Sequence, residues 1–145
     1  MSDIRRTVDF DAPIERVWAF LTEREKIAQW LMPNTFSAAA GHTFTMDCPP
    51  GIGSGAPIEC EVLRIEPPHA GRAHLTYTWA IDAPALKTVL TLDLSQEGGT
   101  TRLELVHSGW EPLGPPDIHV RDRHEQGWDA LLEMRLRPLL EGGLG

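Results

Sequence analysis

Apolar and polar positions change period twice along this chain. Ile4, Val8 and Phe10, with Arg6 on the same side, alternate with polar neighbours and predict a short strand that ends at Asp11-Ala12-Pro13. From Ile14 the spacing becomes helical: Ile14, Val17, Phe20 and Leu21 form one apolar stripe of an amphipathic helix. Pro13 suits its first turn, where a missing N–H has no intrahelical partner to lose, and Asp11 or Ala12 lies near the cap. Thr22 precedes a second short helix with Glu23, Glu25, Ile27 and Trp30, whose start resembles a capping box.

At Gly41 the period falls to two. His42, Phe44 and Met46 take one face of a strand and Thr43, Thr45 and Asp47 the other. Residues 49–57, Pro-Pro-Gly-Ile-Gly-Ser-Gly-Ala-Pro, make a turn-rich connection placed to act as a rim or lid. In residues 58–66, Cys60 and Val62 oppose Leu63 and Ile65, a change of face that predicts a bulge, and Pro67-Pro68 is expected to stop that strand. Residues 74–81 alternate most clearly, with Leu75, Tyr77, Trp79 and Ile81 against Thr76, Thr78 and Ala80. Leu90, Leu92 and Leu94 share a face. Glu97-Gly98-Gly99-Thr100 turns the chain into a hairpin partner that carries Leu103, Leu105 and His107 on one side.

Pro112, Pro115 and Pro116 keep residues 109–121 from forming one regular element, so helix is expected to resume near Asp122. There Trp128, Leu131, Leu132, Met134, Leu136 and Leu139 cover a wide apolar arc, broader than a surface helix needs. The order of strand, two helices, a meander of about five strands and a long helix predicts an α+β fold. In it, a curved antiparallel sheet of about six strands wraps round the C-terminal helix.

Composition narrows the functions. The 145 residues suit one domain, residues 1–145. Thirteen Lys plus Arg against 21 Asp plus Glu leave a net charge of −8, with no basic cluster. Nucleic acid and anionic membrane surfaces are therefore disfavoured as partners. No apolar run reaches the length of a spanning helix and the N-terminus has no signal-like core, so a cytoplasmic location is expected. Cys48 and Cys60 are two cysteines without metal-site spacing and read as reduced thiols.

Several stretches in order, Val8-Asp9-Phe10-Asp11-Ala12-Pro13-Ile14-Glu15-Arg16-Val17-Trp18, Thr22, Trp30, Gly41-His42-Thr43-Phe44 and Glu61-Val62-Leu63-Arg64-Ile65-Glu66-Pro67-Pro68, belong to one pattern. Leu75-Thr76-Tyr77-Thr78-Trp79, Gly99-Thr100-Thr101-Arg102-Leu103-Glu104-Leu105-Val106-His107-Ser108-Gly109 and Gly127-Trp128 continue it. Together they resemble the heat-shock protein 90 ATPase activator-like (AHSA-type) family of the START-like superfamily. The resemblance implies a helix-grip fold with an apolar pocket between sheet and helix. Gly41-His42 and Cys60-Glu61 depart from it, at places where relatives often carry paired glycines and a glycine respectively.

A pocket of this kind would draw on Trp30, Phe44, Met46, Tyr77, Trp79, His107, Trp110, Trp128, Leu131 and Met134, with Tyr77 and His107 as its polar minority. The expected ligand is an apolar or aromatic small molecule, admitted past residues 49–57 and 109–116. His107, in an otherwise apolar row, has the chemistry of a general acid or base, and a cyclase- or hydrolase-like enzyme is the alternative. As a core histidine it would instead satisfy its hydrogen bonds internally. Asp117, His119, Asp122, His124 and Glu125 have metal-ligand chemistry without a metal-site spacing, and Gly51-Ile52-Gly53-Ser54-Gly55 lacks a phosphate-loop pattern. No metal or cofactor is expected. A homodimer is compatible with the reading. A co-chaperone role is disfavoured, because the additional N-terminal domain of the eukaryotic activators has no counterpart in these residues.

Overall fold

The strands fall where the period is two: β1 (Ile4–Phe10), β2 (Thr43–Met46), β3 (Ile58–His69), β4 (Arg72–Asp82), β5 (Ala85–Glu97) and β6 (Thr100–Ser108). They form one antiparallel sheet in the order β1-β6-β5-β4-β3-β2. This computed structural model describes residues 3–48, 56–82 and 84–142. Most of residues 49–57, the expected lid, lies outside the described residues.

Alternation decides which face is dry. Leu75, Tyr77 and Trp79 of β4, Leu90, Leu92 and Leu94 of β5, and Leu103, Leu105 and His107 of β6 are all buried on the inner face. Against them pack α1 (Ile14–Thr22) and α2 (Arg24–Trp30), whose buried stripes are the predicted Ile14, Val17, Phe20 and Leu21, then Ile27 and Trp30. The expected capping box does not form. Thr22 is still helical and its hydroxyl donates to the Trp18 carbonyl (2.8 Å), so Glu23 becomes the N-cap without a side-chain cap bond.

The bulge falls where the pattern changes face, between Val62 and Arg64, and it leaves Leu63 half exposed. Pro67 and Pro68, however, do not stop β3. A second register shift between Glu66 and His69 takes up both prolines. They sit where β3 has run past β2, which pairs only with residues 58–61, so their missing amides break no ladder on that side.

The C-terminal helix begins earlier than predicted. Pro115 opens a single 3-10 turn (Pro115–Asp117), where a missing N–H has no partner to lose, and α3 (Ile118–Ala130) follows directly. It continues as a π-helical stretch, Leu131–Leu136, into α4 (Arg137–Glu141). Trp128, Leu132, Leu136 and Leu140 are its buried residues, one every fourth position. Four residues of α-helix overshoot a full turn by about 40°. The wider π turn rotates less per residue and falls back by a comparable angle, so the seam stays straight along the sheet. Hence the apolar arc is narrower than expected. Leu131 is only half-buried, and Met134, expected inward, points to solvent at 76% exposure.

Candidate functional site

Between sheet and C-terminal helix lies a layer of three indoles and two imidazoles. Alternation points Trp79 of β4 and His107 of β6 inward, helical spacing of four puts His124 and Trp128 on one face of α3, and Trp110 enters from the segment after β6. Their ring centroids lie from 4.7 Å (His107–Trp110) to 6.1 Å (Trp79–His124) apart. Tilted and edge-on arrangements dominate, as ring quadrupoles favour.

Hydrogen bonds fix the tautomers. An indole can only donate, so the Trp128 Nε1–H to His107 Nδ1 bond (3.0 Å) places a lone pair on Nδ1. His107 therefore carries its proton on Nε2 and donates it to Thr88 Oγ1 (2.7 Å), and the Thr88 hydroxyl donates to the Trp79 carbonyl (2.7 Å). The Trp79 Nε1–H donates to His124 Nε2 (3.3 Å), which leaves His124 Nδ1–H for the Val120 carbonyl (2.8 Å). Trp110 Nε1–H ends the set on the His107 carbonyl (3.0 Å).

Burial, and secondarily the nearby His124, push the His107 pKa well below its ordinary value. Burial also lowers His124, partly opposed by its bond to Val120. Both rings are held neutral. With both nitrogens engaged and no exposed surface, His107 is a hydrogen-bonded hub of the core as it stands.

The other candidates separate into different places. Tyr77 packs edge-on against Phe44 (5.2 Å between centroids), and Phe36 completes that second aromatic group. Tyr77 and His107 share a cross-strand row but are separated by Leu90, hence by about 10 Å at the usual strand spacing. They do not converge on one point. Burial, then the neighbouring Cys60, raises the Tyr77 pKa well above its ordinary value, and burial pushes the Cys60 thiol up to about 12. Trp30 is bound elsewhere, donating to the Phe20 carbonyl (2.7 Å) and so tying α2 to α1, while Met46 is buried at the β2 end of the core.

Sequence reasoning overlooked Thr88 and the inward turn of His124. Both carry a signal: Thr88 continues the row Leu94, Leu92, Leu90 by one more step of two, and His124 lies four residues before Trp128. Thr88→Val keeps the shape and strips the hydroxyl, leaving His107 Nε2–H without its acceptor and removing one bond to the Trp79 carbonyl. We expect a loss of about 1–3 kcal/mol in urea unfolding with an unchanged m-value.

Among the described residues no group of three or more His, Cys, Asp or Glu is placed to share a metal ion. In the stretch read for metal chemistry, Asp122 and Glu125 instead pair with Arg121 (3.3 and 3.0 Å). The rings of this layer lie in the region where the ligand pocket was expected. A concavity of about 510 Å³ lies on the opposite, outward face of the sheet, over His74, Asp93, Ser95 and Glu104.

A family model described as Activator of Hsp90 ATPase homolog 1-like protein matches residues 11–141. The chain belongs to this family. Among its structural relatives is BH1534 of Bacillus halodurans, 34% identical over 97% of this chain and 98% of that one, with a TM-score of 0.77. MLL2253 of Mesorhizobium loti is 29% identical over 91% and 92%, with a TM-score of 0.77. A solution structure of the Aha1 dimer from Colwellia psychrerythraea is 18% identical over 100% of both chains, with a TM-score of 0.73. No curated protein matches the chain. The family's helix-grip fold is the fold seen here, the sheet closed over the C-terminal helix. No helix among the described residues is long and apolar enough to cross a membrane.

Proposed function

We propose that the chain binds one apolar or aromatic small molecule between the sheet and the C-terminal helix, with the indole and imidazole layer as its floor. One observation carries the reading: no residue from Glu111 to Gly127 is fully buried and only Leu113 and Val120 pack part-buried against the core, so the segment that brings His124 to this layer is held by little apolar area. Lifting it exposes Trp79, Trp110 and His107, an apolar surface with few polar groups, as ligand sites are commonly built. A planar guest would regain the ring contacts that the layer gives up. Its affinity would come from apolar burial at about 25 cal/mol per Å², reduced by the cost of ordering guest and cover. A homodimer, the state of the Colwellia relative, is the assembly we expect for this chain.

Catalysis by His107 is the weaker reading, because both ring nitrogens are engaged and the imidazole is sealed from solvent. Naphthalene and 1-anilinonaphthalene are suitable neutral probes. Each is expected to raise the melting temperature with dose, by mass action, and to quench indole emission. The absence of any shift with saturating amounts of both probes, together with native mass spectra that show only the bare chain, overturns the reading.

A further inference from the structure

We propose a second, catalytic site on the outward face of the sheet, where Asp93, His74 and Thr76 form a hydroxyl–imidazole–carboxylate relay suited to hydrolysing small carboxylic esters. The sheet builds it from register alone. His74 and Thr76 are two residues apart on β4 and share its outward face, and Asp93 of β5 lies directly across from His74. Asp93 Oδ1 stands 2.5 Å from His74 Nδ1, and Thr76 Oγ1 stands 2.6 Å from His74 Nε2.

The carboxylate fixes the imidazole proton on Nδ1 and leaves the Nε2 lone pair for the Thr76 hydroxyl. That is the order of roles that an activated nucleophile requires: nucleophile to base, base to orienting acid. His74 and Asp93 line the 510 Å³ concavity, and Thr76 is two residues along β4 from His74, beyond that lining. Arg64 lies across the strand pair from Thr76 and also lines the concavity. Its guanidinium is paired with Glu66.

In the first step Thr76 Oγ1 bonds to the ester carbonyl carbon while its proton passes to His74 Nε2. The bond to the alcohol oxygen breaks, the oxygen keeps the electron pair, and the proton on Nε2 neutralises it. A water molecule then attacks the acyl-threonine, gives a proton to Nε2 and releases the acid as Thr76 Oγ1 is reprotonated. Ester and water are consumed, acid and alcohol are formed, and the side chains return to their starting state.

The test uses the full chain and p-nitrophenyl acetate. Acid-quenched samples should carry an acetyl group on the Thr76 peptide. Thr76→Val, which suits a strand and should keep the melting temperature, is expected to slow p-nitrophenolate release about 100-fold, within the range that a positioned base contributes. Thr76→Ser restores the hydroxyl and should restore the rate. His74→Gln should match the valine variant, and Asp93→Asn, through its positioning role, should lower kcat with KM unchanged. Hydrolysis undiminished in Thr76→Val, or acetyl found on a histidine or lysine and absent from Thr76, overturns the assignment. Neither result depends on whether a molecule binds on the inner face.

Discussion

Trp128→Ala is expected to destabilise the fold by about 3–5 kcal/mol, in the range for deleting a large buried ring. Two losses add. The indole is buried against Trp79 and His107, so its removal leaves a cavity between sheet and helix that the straight seam of Leu132, Leu136 and Leu140 cannot close. His107 Nδ1 also loses its donor. Trp128→Phe separates the two terms: it refills much of the volume but leaves that nitrogen unpaired, at a cost of about 1–3 kcal/mol. Guanidinium unfolding of the three proteins reads both differences. A loss below about 1 kcal/mol for the alanine variant is incompatible with this ring lying between sheet and helix.

Acid should weaken the protein well above the pH at which carboxylates titrate. In the unfolded chain both core imidazoles ionise near pH 6.5, whereas burial depresses the folded values of His107 and His124. Above about pH 6.5 neither state holds a proton on these rings, and stability is complete. Below it the unfolded chain takes up protons that the folded protein refuses, so stability falls with pH by about 1.4 kcal/mol per unit for each such group. The loss ends for each ring at its folded value, and at His107 protonation breaks the bond from Trp128. Of the two rings His107, whose folded value lies well below the ordinary one, carries the loss further toward acid. Asp9, Asp129 and Glu133, whose pKa values are lowered by arginine partners, act only at lower pH. Urea midpoints at pH 7, 6 and 5 test this. His107→Gln should flatten the dependence, and an already flat wild-type profile would refute it.

The strands were legible because a sheet with one wet and one dry face writes a period of two into the sequence, and β4 and β6 follow it closely. The bulge after Val62 showed for the same reason, as a change of phase. What hid the fate of Pro67 and Pro68 is that a proline stops a strand only where both edges are paired, and edges belong to topology. The helix seam was misread for a different cause: six residues of α-helix set Met134 about 120° round from Trp128, on the side away from Leu132 and Leu136, so residue type and not place on the wheel made it look like part of the core. In the ring layer, the aromatic residues announced themselves by type. Their polar partners did not, because Thr88 and His124 are ordinary surface residues until the β5 register and the rotation of α3 aim them at His107 and Trp79.

The two rims of the sheet bear on how copies of this chain can meet. Along β1, Arg137 donates to the Asp9 carbonyl (3.0 Å) and Arg121 to the Asp3 carbonyl (3.3 Å), while beyond β2 the overhang of β3 carries two prolines and two register shifts. Neither rim offers an uninterrupted run of free backbone donors and acceptors to a stranger's backbone, which is how natural sheets guard against fibrillar stacking. Self-association of this protein is thereby steered away from strand addition and toward contacts between side-chain faces.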